Sequence, residues 1–171
     1  MARRTWYLGL GSNLGDRAAA LRGAIDRLQR AGLQITRASQ IYETAPVGPV
    51  PDQPLFLNAV IESRTALSPA TLLALCQRVE RQMGRRRRVA QGPREIDIDL
   101  LLAERLVRDG PDPVLPHPQL TRRAFVLRPL LDLAPALADP RDGQTLAGYL
   151  PSLEARQPLR RWGTFDGGCG R

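Results

Sequence analysis

A chain of 171 residues suits one domain around a single core of ordinary size. Its 43% apolar and 25% charged residues place it with soluble globular proteins and exclude a disordered or fibrous chain. The net charge is +8, carried by arginine alone with no lysine, and no apolar run approaches the roughly 18 residues that cross a bilayer.

The first residues, MARRTWYLGLGSNLGDR, lack the apolar segment and cleavage site of a secretory signal, so a cytoplasmic protein is expected. Residues 5–11 form a short apolar run ending in Gly-Ser-Asn, which predicts a strand and a turn. Asp16 can cap a helix through about residue 31, with Leu21, Ile25 and Leu28 on one face and Gly32 as its stop. Residues 33–43 read as extended. The stretch 44–54, TAPVGPVPDQP, holds four prolines and a glycine and reads as a loop of restricted backbone freedom.

Residues 56–63 predict the next strand. Ser68 and Pro69 supply an N-cap and a first-turn proline for a helix to about residue 83, stopped by Gly84. An arginine-rich loop follows, and then GPREIDIDLLL, residues 92–102, in which Ile96, Ile98, Leu100 and Leu102 alternate against Asp97 and Asp99. The order β-α-β-β-α-β is that of an α+β, ferredoxin-like sandwich, with one sheet face covered by helices and the other open. A strand or hairpin at 104–109, a helix after Thr121 and an irregular close are expected as extra C-terminal elements. The domain is expected to span 1–162, with 163–171 as a flexible tail. Cys76 reads as a small core residue, and Cys169 as a free thiol near the end.

Asp97 and Asp99 are the chemically informative pair. Two residues apart on a strand, they share a face and lie about 6.6 Å apart, opposite the core isoleucines. Neighbouring carboxylates repel unless a cation or arginines neutralise them. Divalent ions that bridge phosphates resolve the conflict, and guanidinium forks suit the same phosphates. Arg78, Arg81, Arg85, Arg86, Arg87, Arg88 and Arg94 crowd into seventeen positions beside the pair. Acids beside such a basic loop point to a nucleoside triphosphate site, although alternating acids on a solvated sheet face are the plainer reading of the triplet alone.

Two other motifs lead elsewhere. Gly9, Gly11 and Gly15 make G-x-G-x-x-x-G, one residue too long for a dinucleotide fingerprint, so they read as glycines of a tight turn. His117 lies between two prolines that stiffen its backbone, which suits a donor aimed at a phosphate. No serine or cysteine partners it in a recognisable triad. The 5% aromatic content and the lack of an aromatic cluster on the sheet argue against stacking on nucleic-acid bases.

The segments GLGSNLGD (9–16), YETAPVG (42–48), DQPLFLNAV (52–60), GRRRR (84–88), GPREIDIDLLL (92–102) and LPHPQLTRRAFVLRPLLDLAP (115–135) together carry a resemblance. From about residue 6 to 150, the chain resembles the 6-hydroxymethyl-7,8-dihydropterin pyrophosphokinase family of folate biosynthesis. The resemblance implies a ferredoxin-like monomer that moves pyrophosphate from ATP to the pterin hydroxymethyl group, releasing AMP, with two Mg²⁺ ions. ATP and the pterin are then its small-molecule partners, with no nucleic acid and no membrane. Carried over by motif, Asp97 and Asp99 are the expected metal ligands, and Arg85, Arg87 and Arg94 the catalytic arginines on the ATP phosphates. His117, Arg123, Gln77 and Glu80 complete the expected ATP site. Thr44, Pro46, Phe56, Asn58 and Phe125 form the expected pterin pocket. The chain departs from the family at Gln91, where tryptophan is common before GPR, and its loop between Gly84 and Gly92 is slightly short. Arg86 and Arg88 carry no family role and read as solvated charge.

Overall fold

The computed structural model describes residues 2–86 and 89–165. Its elements are β1 (Arg4–Ser12), α1 (Arg17–Arg30), β2 (Gln34–Ala38), β3 (Ile41–Thr44), β4 (Phe56–Thr65), α2 (Pro69–Gln82), β5 (Asp97–Ala103), α3 (Ala124–Leu133), α4 (Leu150–Arg156) and β6 (Leu159–Gly163). The sheet runs β5-β1-β4-β3-β6, with β2 also paired to β4, and each of these pairings is antiparallel. This is the expected split-βαβ plan with additions.

Local chemistry sets the two first helices. Asp16 Oδ1 accepts from Ala19 N at 2.9 Å, and Ser68 Oγ accepts from Thr71 N at 3.2 Å, satisfying donors that a helix start leaves over. Both helices end before a glycine with positive φ, Gly32 at +94° and Gly84 at +86°. Leu21, Ala24 and Leu28 of α1 pack with Leu72, Cys76 and Val79 of α2 over Trp6, Leu8, Leu10, Ile96, Ile98 and Leu100. Cys76 is a core residue; Cys169 lies outside the described residues.

The opposite sheet face is not open along its length. Tyr7, Val60, Leu101 and Leu102 are covered there by Leu127, Leu130 and Leu131 of α3 and by Leu150 and Leu153 of α4. An apolar helix stripe needs such a partner, and only the uncovered face offers one. Leu102 belongs to this second cluster, not with Ile96, Ile98 and Leu100. The β1–β5 register steps from Tyr7↔Leu102 to Leu8↔Leu100, and this bulge turns Leu102 to the other face.

Three further expectations change. Residues 33–43 divide into β2 and β3 at Ser39, whose N–H donates to Val60 O while its Oγ accepts from Val60 N, each at 2.9 Å. The strand or hairpin at 104–109 narrows to one bridge, Arg108↔Leu115. The expected irregular close is regular as far as residue 165: after α4, β6 pairs with β3, and Trp162 and Phe165 pack partly buried against the first core cluster, while most of the expected tail, from residue 166 on, lies outside the described residues.

Candidate active site

The uncovered remainder of the second sheet face is a cleft of about 260 Å³. Its floor is β1, where Gly9 pairs with Asp99 on one side and Val60 on the other, and Gly11 pairs with Asp97 and Asn58. Neither glycine has positive φ; of the three motif glycines only Gly15 does, at +66°. The tight-turn reading therefore holds for Gly15 alone. Gly9 and Gly11 matter because they carry no side chain. A Cβ on Gly11 would stand 3.1 Å from Asn58 Oδ1, and one on Gly9 would stand 3.4 Å from Leu101 Cδ2. The two bare positions open a trough between the acids on β5 and the polar residues on β4.

On the acidic wall, Asp97 Oδ1 meets Arg85 Nη1 at 2.7 Å, and Asp97 Oδ2 lies 3.6 Å from Arg94 Nε. Arg94 Nε is buried without a hydrogen-bond partner. Burial first, and then the Asp97 charge, push the Asp99 carboxyl up from its ordinary range, against the pull of Arg123 and Arg94. Two carboxylates in one corner, one of them reluctant to ionise, favour a divalent cation, which would offset both the burial and the mutual repulsion. Among the described residues no third acid, histidine or cysteine is grouped with the pair so as to hold a metal ion. A cation bound at this corner would therefore complete its shell with oxygens of a ligand and water, a donor set that suits Mg²⁺ on a polyphosphate.

On the far wall, Asn58 Nδ2 donates to Thr44 Oγ1 at 2.7 Å, which leaves Asn58 Oδ1 to accept from a ligand. Phe56 and Phe125 also line the cleft. Each carries an arginine on its ring: Arg94 over Phe56 at 5.2 Å and Arg123 over Phe125 at 5.6 Å to the centroids. The aromatic pockets and the cationic groups are thus neighbours. His117 N–H donates to Leu101 O at 2.8 Å, and His117 Nδ1 accepts from Gln119 N at 3.1 Å. The proton of the neutral ring consequently sits on Nε2, a donor. Burial and the Arg123 charge push its pKa below the ordinary imidazole value, so the neutral form prevails at pH 7.

Of the residues expected from sequence, Thr44, Phe56, Asn58, Arg85, Arg94, Asp97, Asp99, His117, Arg123 and Phe125 all line this one cleft. Pro46, Gln77 and Glu80 do not, although Ala45 and Val47 flank Pro46 and do. Helix α2 packs on the opposite sheet face, so its side chains reach only the outer edge of β5. Glu80 is buried at that edge, where it accepts from Ile98 N at 2.7 Å and pairs with Arg85. It holds the acidic strand and a site arginine in place from beneath. Arg87 and Arg88 lie outside the described residues.

Asn13 and Gln53 were not picked out from sequence, and Gln91 only as a departure from the family pattern. Asn13 Oδ1 accepts from Arg94 N at 2.9 Å, and Asn13 Nδ2 donates to Gln53 Oε1 and Pro54 O, joining the GPR segment to the 44–54 loop. Gln91 lines the cleft with φ of +57°, and its carbonyl accepts from Gln53 Nε2 at 2.9 Å. Its side chain rests on Gly48, where a Cβ would approach Gln91 Oε1 to 2.6 Å. The residue that departs from the family pattern is thus the contact between the two loops.

Residues 7–135 match the family described as 7,8-dihydro-6-hydroxymethylpterin-pyrophosphokinase, HPPK. A Bacillus subtilis protein named 2-amino-4-hydroxy-6-hydroxymethyldihydropteridine pyrophosphokinase is 45% identical over 74% of this chain and 76% of its own. The Schizosaccharomyces pombe folic acid synthesis protein fol1 is 40% identical over 94% of this chain, which spans only 22% of that relative's length. The fold is similar to that of Plasmodium falciparum HPPK-DHPS, with a TM-score of 0.70 and 16% identity over 90% of this chain and 44% of that one.

Proposed function

The chain belongs to the 7,8-dihydro-6-hydroxymethylpterin-pyrophosphokinase family, and from that premise we propose that it transfers pyrophosphate from ATP to 6-hydroxymethyl-7,8-dihydropterin in folate biosynthesis. The observation that carries this reading is the pairing of two walls across a bare glycine floor. Asp97 and Asp99 with Arg85 and Arg94 form one wall; Thr44 and Asn58, beside the Phe56 and Phe125 rings, form the other.

The pterin hydroxymethyl oxygen attacks the β-phosphorus of ATP, the bond from that phosphorus to the α-phosphate oxygen breaks, and AMP leaves. The hydroxyl proton passes to solvent; no side chain is assigned as general base, because transfers of this kind gain most from placement and charge stabilisation. Asp97 and Asp99 would hold two Mg²⁺ ions, whose chemistry is to bridge the phosphates and neutralise their charge. Arg85 and Arg94 then turn from Asp97 to the phosphates. Arg94 stays seated on Phe56 as it does so, keeping the reacting ends together. His117 Nε2–H and Arg123 donate to the same triphosphate. The pterin ring lies flat against Phe56 and Phe125, and Asn58 Oδ1 accepts from its edge. Pro46, next to the lining residues, shapes the loop beside it. Arg87 would serve the same phosphates as its neighbours.

The protein is further proposed to act as a cytoplasmic monomer; among the described residues no helix is long and apolar enough to cross a membrane. Incubation with MgATP and the reduced hydroxymethylpterin tests the reaction. AMP and pterin diphosphate should form in equal amounts, and only with the pterin present. ADP as the nucleotide product would instead mark a single phosphoryl transfer, and the proposal would fail.

A further inference from the structure

We infer that Arg17 is a positioning residue for the pterin half of the cleft: one guanidinium ties together the two ends of the loop 45–54. Arg17 Nη1 donates to Leu55 O at 2.8 Å, and Arg17 Nη2 donates to Glu43 Oε2 at 2.8 Å. Glu43 stands just before the loop on β3, and Leu55 stands just after it, next to the first residue of β4. Glu43 is pulled on its other oxygen by Arg160 of β6, so the near anchor is itself fixed from two sides.

The position of Arg17 argues for this role. It is the first residue of α1, directly after the Asp16 cap, and the first turn of that helix holds no acid. A cation there opposes the helix dipole and weakens the helix slightly. Helix stability therefore does not account for an arginine at this place, whereas a link across the loop base does. Its side chain is three-quarters shielded from solvent, and it does not line the cleft. Arg17 can influence the ligand only through the segment it fastens.

That segment has much to lose. It is ten residues long, carries four prolines, and turns at Gly48 with φ of +139°. It supplies Ala45 and Val47 to the cleft and is bracketed by two further lining residues, Thr44 and Phe56. Fastening both ends shortens the span left to fluctuate, so less ordering remains for the ligand to impose. Among the described residues the acids on β5 and Arg85 and Arg94 make no bond to Arg17 or Glu43; they meet the segment at its far end, through Asn13 and Gln91. Loss of the clamp should therefore be felt chiefly by the substrate on the Thr44 and Phe56 side.

The inference rests on the reading of this half of the cleft as the pterin pocket. Its test compares the wild-type protein with Arg17→Ala by varying each substrate in turn, and by limited proteolysis within 45–54 without substrates. The pterin KM should rise roughly tenfold, the size of one charge-assisted hydrogen bond lost at a partly exposed site. The ATP KM should stay within about twofold, and cleavage of the loop should quicken. Equal changes in both KM values, or no change in either, would overturn the clamp. If the wild type makes no pterin-dependent AMP, the pterin reading is what has failed, and unchanged proteolysis in the variant still decides against the clamp. Should Arg17→Ala not fold, Arg17→Lys, which keeps the charge but lacks the two-pronged fork that fits both acceptors, should show the same split at smaller size; an unsplit response there also counts against it.

Discussion

Asp99→Asn should raise stability while abolishing turnover. Burial and the Asp97 charge both oppose ionisation of the Asp99 carboxyl, pushing its pKa up to about 7. A carboxyl that holds its proton more tightly folded than unfolded subtracts stability once it ionises. In chelator, wild-type stability should therefore fall as pH rises from the ordinary carboxylate range through about 7. Asparagine removes that loss, so thermal melting at pH 8 should show a higher Tm for the variant. Turnover should drop about a thousandfold or more, because the proposed cation site would lose half its protein charge. Asp97→Ala should lose activity to the same degree while its stability stays within about 1 kcal/mol, since the Asp97 pairs are partly solvated and Arg85 keeps Glu80. A destabilised Asp99→Asn, or either variant with near-normal AMP formation, would contradict this electrostatic picture.

Glu80→Ala should carry the largest stability loss of any substitution at the site. The Glu80 side chain accepts an N–H on the outer edge of β5, where among the described residues no strand lies beyond to replace it. Removing it orphans Ile98 N and strips Arg85 of a partner in a poorly hydrated corner, together about 2–4 kcal/mol. Glu80→Gln separates the two contributions. Its amide oxygen still accepts from Ile98 N, so the fold should hold to within roughly 1.5 kcal/mol. The Arg85 guanidinium, however, loses the charge that aims it, and turnover should fall well below wild type. Urea unfolding alongside initial rates reads both outcomes. Equal destabilisation by alanine and glutamine would mean that Ile98 does not depend on this acceptor.

These residues also show how far the sequence alone reaches. Helix starts were legible because Asp16 and Ser68 cap through bonds that span three residues. The acid pair was legible because strand alternation needs only neighbours to place Asp97 and Asp99 opposite Ile96 and Ile98. Contacts set by distant partners were not. Leu102 changes face through a bulge whose cause lies on β1. Gly9 and Gly11 resembled turn glycines until strands on both sides showed that their value is the missing Cβ. Their alternation on one strand face was the available signal. That Glu80 lies at the edge of β5 and not on the cleft depends on which sheet face α2 covers, which only the assembled sheet shows. Strand β6 went unseen because Leu159-Arg-Arg-Trp-Gly has little alternation, and its pairing with β3 spans more than a hundred residues of chain.

At the root of the account lies a division of labour in which the β5 acids hold cations and release their arginines to the nucleotide. Anomalous scattering from Mn²⁺ in crystals grown with a non-hydrolysable ATP analogue and the pterin measures that directly. Ions should lie about 2.1 Å from oxygens of both Asp97 and Asp99, with Arg85 and Arg94 turned onto the phosphates. Ions bound only to the nucleotide, with Asp97 still paired to the two arginines, would contradict it.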